Sequence, residues 1–186
     1  MKKLMMIAAM MLMSMGAFAQ EAGEMFVKPM VGGTLATQTG DVSHTKMKFG
    51  LVGGAEFGYM IADQFGVTAG LLYTMQGSAY DVEKSENLNM DYLNIPILAN
   101  YYIIPGLAIK AGIQPGILTR AKVDAYDVKE AYKSLDIAIP MGISYEFSDF
   151  VIDARYNLGI TNIVDHGDAK VRNSVIQFTI GYKIPL

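Results

Sequence analysis

The stretch Leu135–Phe147 alternates along its whole length. Leu135, Ile137, Ile139, Met141, Ile143, Tyr145 and Phe147 are apolar, whereas Asp136, Ala138, Pro140, Gly142, Ser144 and Glu146 between them are polar, small or ring-constrained. A repeat of two residues belongs to a β-strand with two unlike faces. The run is long against the usual strand of about five or six residues.

The same pattern recurs down the chain. In Leu107–Arg120 the apolar face is Leu107, Ile109, Ala111, Ile113, Pro115 and Ile117, set against Ala108, Lys110, Gly112, Gln114, Gly116, Leu118 and Arg120. In Phe150–Gly159 it is Phe150, Ile152, Ala154, Tyr156 and Leu158, set against Val151, Asp153, Arg155, Asn157 and Gly159. The alternation predicts eight long strands, over Met25–Ala36, Lys48–Ile61, Phe65–Gly77, Asp91–Ile103, Leu107–Arg120, Leu135–Phe147, Phe150–Ile160 and Val171–Ile184. No comparable helical period competes with them.

The connections alternate in length as well. Ala62-Asp63-Gln64, Ile104-Pro105-Gly106 and Ser148-Asp149 are short; Thr37–Met47, Ser78–Met90, Ala121–Ser134 and Thr161–Lys170 are long and hold much of the chain's unpaired charge. Short turns at one end and long polar loops at the other are the mark of a barrel that crosses a membrane with its strands. The less apolar faces support this reading. They are rich in Gly, Ala, Ser and Thr with isolated charges, which suits the crowded interior of a narrow barrel, where eight strands leave room for little beyond side chains. Aromatic residues sort by height, with Tyr59, Tyr101, Tyr145, Phe147, Phe150 and Tyr182 near the short turns and Tyr73, Tyr92 and Tyr156 toward the long loops. Two such belts fit the two interfaces of a bilayer. The opposite arrangement, a soluble lipocalin-like barrel, would crowd the Ile, Leu, Phe and Tyr faces into the lumen. The expectation is therefore an all-β fold: an eight-stranded antiparallel up-and-down transmembrane β-barrel with the Ile/Leu faces on lipid.

Composition sharpens the compartment. Lys2 and Lys3, the apolar Leu4–Gly16 and the Ala17-Phe18-Ala19 site predict a signal peptide over residues 1–19, leaving 20–186 as the barrel domain. There is no cysteine, which excludes disulfides, thiolate metal sites and a lipid-modified cysteine. Without Lys2 and Lys3 the chain keeps 13 basic residues against 18 acids, a formal charge of −5, with no basic stretch of the kind that binds nucleic acid.

"YLNIPIL" at Tyr92–Leu98 and "DARYNLGITNI" at Asp153–Ile163, with "GLLYTMQGSAYD", "AGIQPGIL" and "LDIAIPMGISYEF", resemble the PorT-like outer-membrane β-barrel family over the whole mature chain. The resemblance implies a Gram-negative outer-membrane barrel of the OmpX and OmpA kind. Most members have no assigned activity, and one branch supports a protein-secretion apparatus.

The chemistry-bearing residues fall in two groups. Lys28, Glu56, Lys110, Asp136, Glu146, Asp153, Arg155 and Lys183 sit on inward faces, four of each sign, and are expected to pair as a network filling the lumen, because buried charge must be paired. Asp153 and Arg155 share one face two residues apart, so each is expected to reach partners on the adjoining strands, such as Glu146 and Lys183. His44 and His166 lie in long loops that barrel closure would make neighbours; with Ser43, Asp41, Asp165 and Asp168 they form the weak alternative, a lipid A-modifying enzyme at the outer rim. The favoured expectation is a non-enzymatic outer-membrane protein without cofactor or metal, with a structural or surface-interaction role. Its expected partners are outer-membrane lipid, lipopolysaccharide and surface or secretion proteins.

Overall fold

The alternating segments meet edge to edge in the computed structural model, which describes residues 21–42, 45–80, 87–123, 126–165 and 169–186, with the side chains of Tyr80 and Asn87 excepted. The segment expected to be a signal peptide, with His44, His166, Ser43 and Asp168, lies outside the described residues. Among the described residues the strands form one sheet with eight walls. They are β1 (Met25–Gly40), β2 (Lys48–Ala62), β3 (Phe65–Tyr80), β4 (two segments, Asn87–Asn94 and Ile97–Ile104), β5 (Leu107–Val123), β6 (Leu135–Phe147), β7 (Phe150–Gly159) and β8 (Val171–Tyr182). Thr45–Lys46, Tyr126–Asp127 and Ile184–Pro185 add two-residue ladders at the rims.

Each wall runs antiparallel to the next, and β1 pairs with β8 from Met30↔Gly181 to Gly40↔Val171. That last pairing closes the sheet into a barrel and leaves no free edge along the walls. Inward positions are buried and outward ones exposed through most of each wall, as in Leu135–Phe147, where Asp136, Ala138, Pro140 and Ser144 are buried and Leu135, Ile139, Met141 and Ile143 exposed. The apolar set thus faces away from the lumen, the arrangement a hydrocarbon surround requires.

The structure differs from the periodicity in three places. β4 is interrupted at Ile95-Pro96, where a single strand was expected. Proline has no N–H to give to a ladder; Ile95 N–H instead donates to Pro115 O at 2.8 Å and Gly70 N–H to Pro96 O at 2.9 Å. The register survives the break, with Leu72↔Asn94 on one side and Ala69↔Ile97 on the other. In β5 a bulge at Thr119 pairs Leu118 with Tyr92 and Arg120 with Asp91. An extra residue reverses the faces beyond it, so the Arg120 side chain leaves the inward set and is 54% exposed. Third, Tyr92 belongs to no interfacial belt: it is 1% exposed and points into the lumen. The walls also run further than expected toward the long-loop end, to Gly40 in β1, Tyr80 in β3 and Val123 in β5.

Candidate functional site

The lumen is organised in three layers. At the short-turn end Met60, Tyr102 and Ala108 form an apolar cluster. Beside it Lys183 Nζ sits 4.6 Å from the centre of the Phe26 ring and pairs with Glu24 Oε1 at 3.0 Å and Glu146 Oε2 at 3.4 Å. Tyr102 donates its hydroxyl to Glu146 Oε1 at 2.6 Å. Glu24 lies just before β1, outside any alternating run, so periodicity gave no sign of it.

The middle layer holds five charges. Lys28 Nζ lies 2.9 Å from Glu56 Oε2, and Arg155 Nη1 lies 2.6 Å from Glu56 Oε1. Arg155 also grips Asp153 with two nitrogens, Nε to Oδ1 at 2.5 Å and Nη2 to Oδ2 at 3.0 Å. Lys110 Nζ bridges the two acids, 2.5 Å from Asp153 Oδ2 and 3.9 Å from Glu56 Oε2. Three cations and two carboxylates from β1, β2, β5 and β7 therefore cross the barrel, and all five side chains are at most 4% exposed. Ion pairs so deep hold because each charge has a partner.

Asp136 stands apart from both groups. Its carboxylate accepts from Asn173 Nδ2 at 2.8 Å and from the Thr161 hydroxyl, and Asn173 Nδ2 also reaches the Tyr92 hydroxyl at 3.1 Å. The single network expected from the sequence is thus three separate groups. Arg155 bonds within its own strand and across the lumen, whereas Glu146 and Lys183 pair with each other.

The outer layer was not visible in the pattern. Leu88, Met90, Tyr92, Leu118, Ala121, Ile163 and Val171 pack into the long-loop mouth, with Val128, Tyr132 and Val164 against them. Ile163 belongs to the connection between β7 and β8, and Val128 and Tyr132 to that between β5 and β6. The two connections are stitched together: Tyr132 bridges Val164, Lys133 N–H donates to Ile163 O at 2.7 Å, and Asp165 N–H donates to Ala131 O at 3.1 Å. Loops read as solvated charge therefore fold inward as an apolar cap. Above it Asp127, Lys129, Glu130, Tyr132, Ser134 and Asp165 line an open cleft of about 720 Å³. Among the described residues no group of His, Asp and Glu is placed to hold a metal ion.

Solved structures share this architecture, two of them as follows. The attachment invasion locus protein Ail of Yersinia pestis is 17% identical with a TM-score of 0.52, covering 88% of this chain and 99% of its own. Neisserial surface protein A is 15% identical with a TM-score of 0.60, covering 85% of this chain and 97% of its own. At these identities the likeness is one of fold. A search of curated proteins finds no match. The family model described as the outer membrane protein beta-barrel domain matches residues 5–183, and with the lumen and the lipid-facing wall already in view, the chain belongs to that family and is an outer-membrane barrel.

Proposed function

We propose that this protein is a closed-lumen outer-membrane barrel that acts through its long-loop face rather than as a pore or an enzyme. The observation that carries the reading is the five-charge group spanning the lumen, which ties opposite walls together where a conduit would have to pass. The apolar cap over the mouth adds a second closure. What remains open to the outside is the cleft between the paired connections, lined by Asp127, Lys129, Glu130 and Asp165, and the proposal places contact with a surface partner there. The PorT-like family is the finer assignment proposed here; the motifs at Tyr92–Leu98 and Asp153–Ile163 support it.

Reconstitution in planar bilayers tests the closed lumen. The folded protein should give no steady conductance steps. Stable unitary channels that change on Arg155→Ala would replace this reading with a selective pore. A changed lipid A profile in cells that express the protein, lost in His44→Ala or His166→Ala, would replace it with the enzyme.

A further inference from the structure

Two of the five lumen charges are placed to react with each other. Lys110 on β5 and Arg155 on β7 stand opposite the same residue of β6, Gly142, which has no side chain to keep them apart. Lys110 Nζ reaches over β6 to Asp153 Oδ2 at 2.5 Å, a buried amine nitrogen against a buried carboxyl. A second carboxyl stands beside them, with Glu56 Oε2 3.9 Å from the same Nζ. Arg155 holds both acids from the other side: Nε donates to Asp153 Oδ1 at 2.5 Å, and Nη1 lies 2.6 Å from Glu56 Oε1. The side chains of Lys110, Asp153 and Glu56 are at most 3% exposed.

We infer that Lys110 and Asp153 join through an isopeptide bond once the barrel has folded, a covalent tie from β5 to β7 within the lumen. Buried charge is costly. The alternative to the ion pair is an amine against a carboxylic acid, reached when one proton passes from Nζ to Oδ2. The nitrogen lone pair then attacks Cγ. Negative charge develops on Oδ1, where Arg155 Nε already donates. Glu56 Oε2 takes the proton that the attacking nitrogen sheds and returns it to Oδ2. The Cγ–Oδ2 bond breaks and water leaves. One C–N bond has formed and one C–O bond has broken, nothing is oxidised or reduced, and Glu56 ends as it began.

Three features favour this outcome. The wall registers hold amine against acid, so an encounter between free groups becomes a standing contact. A dry layer also keeps water from hydrolysing the bond again. The product removes one buried cation and one buried carboxylate, and leaves Glu56 shared between Lys28 and Arg155. Lys28 is the contrast within the same layer. It lies 2.9 Å from Glu56 Oε2, but among the described residues no second carboxyl pairs with its Nζ to carry the proton. The tie rests on this layer and not on the cleft, so loss of the surface-partner reading leaves it standing.

The test is the intact mass of the full-length protein, kept unfolded in urea or folded into lipid bilayers and then dissolved. The unfolded chain should have its sequence mass, and the folded chain should be one water lighter. Tryptic peptides of the folded sample should include a branched species joining Lys110 to Asp153, with cleavage after Lys110 lost. Lys110→Arg keeps the cation and should show the full mass after folding. Asp153→Asn should lose one ammonia instead, because only the leaving group differs. Glu56→Gln should form the link more slowly, and an unchanged rate would overturn the role of Glu56. A folded wild-type protein at its full sequence mass, a branch at Lys28 in place of Lys110, or water lost by Lys110→Arg would each overturn the proposal. The wild-type comparison requires no variant to fold.

Discussion

Arg155 on β7 and Glu56 on β2 meet across the lumen, Nη1 to Oε1 at 2.6 Å, although three ladders separate their strands around the barrel wall. The pair makes the barrel's width part of its stability, since neither charge can be solvated where it stands. Arg155→Ala takes one partner from each of Glu56 and Asp153, leaving them Lys28 and Lys110, and strips the two hydrogen bonds that hold Asp153 in a water-poor site. Removing one side of a buried pair typically costs about 3–5 kcal/mol. The folded band should accordingly melt at lower temperature on a heat-modifiability gel, and melting at the wild-type temperature would show that the pair contributes nothing.

That pair also marks where the sequence stopped being legible. Alternation locates the strands and says which residues share a face, because a period of two is local. Arg155 and Asp153 could be placed inward in this way. Which opposite wall Arg155 reaches depends on the tilt and stagger of the closed barrel, a property of all eight walls together. Arg120 was lost for a different reason. One extra residue at Thr119 inverts every face beyond it, and no residue type announces the bulge. The apolar cap was missed because Val128, Tyr132 and Ile163 follow no period, and isolated apolar residues in a charged loop carry no directional signal.

The cap gives a prediction of its own. Ile163 is fully buried against the mouth cluster and lies in a connection rather than a wall. Ile163→Ala should cost about 2–5 kcal/mol if the surroundings cannot collapse into the space. Hydrogen exchange should then rise in the two paired connections, read at Lys133 and Asp165, whose N–H groups bond across them. Exchange unchanged there would mean that the loops hold each other without the cap.

The narrow lumen constrains its glycines as strictly as its charges. A Cβ on Gly112 would sit 1.9 Å from Ile97 O and 2.9 Å from Leu98 Cα, both backbone atoms of the adjoining wall. The contact falls directly beside the Ile95-Pro96 interruption in β4. Gly112→Ala should cost about 1–3 kcal/mol through overpacking and slow assembly into bilayers. Assembly at the wild-type rate and stability would show that β4 yields easily at its break.

Topology can be read on intact cells with a protease of broad specificity. Lys129 lies in an exposed turn at the long-loop end, whereas Asp63 and Asp149 lie in the short turns. Cutting should occur near Lys129 while the cells are whole. Fragments ending near Asp63 or Asp149 should appear only after the outer membrane is broken, and their appearance in whole cells would invert the barrel.

The lipid face is tested most directly at Ile139. Its side chain points out from β6, with Ile137 and Met141 to either side and Leu158 as its cross-strand partner on β7. An arginine there meets hydrocarbon rather than the ion pairs of the lumen, and at the bilayer midplane such a change costs about 2–4 kcal/mol. The cost should depend on the surround. Ile139→Arg should fold poorly into bilayers of ordinary thickness and recover in short-chain lipid, where the guanidinium can reach the interface along its flexible stem. Wild-type folding of Ile139→Arg in thick bilayers would place water, not lipid, against this wall.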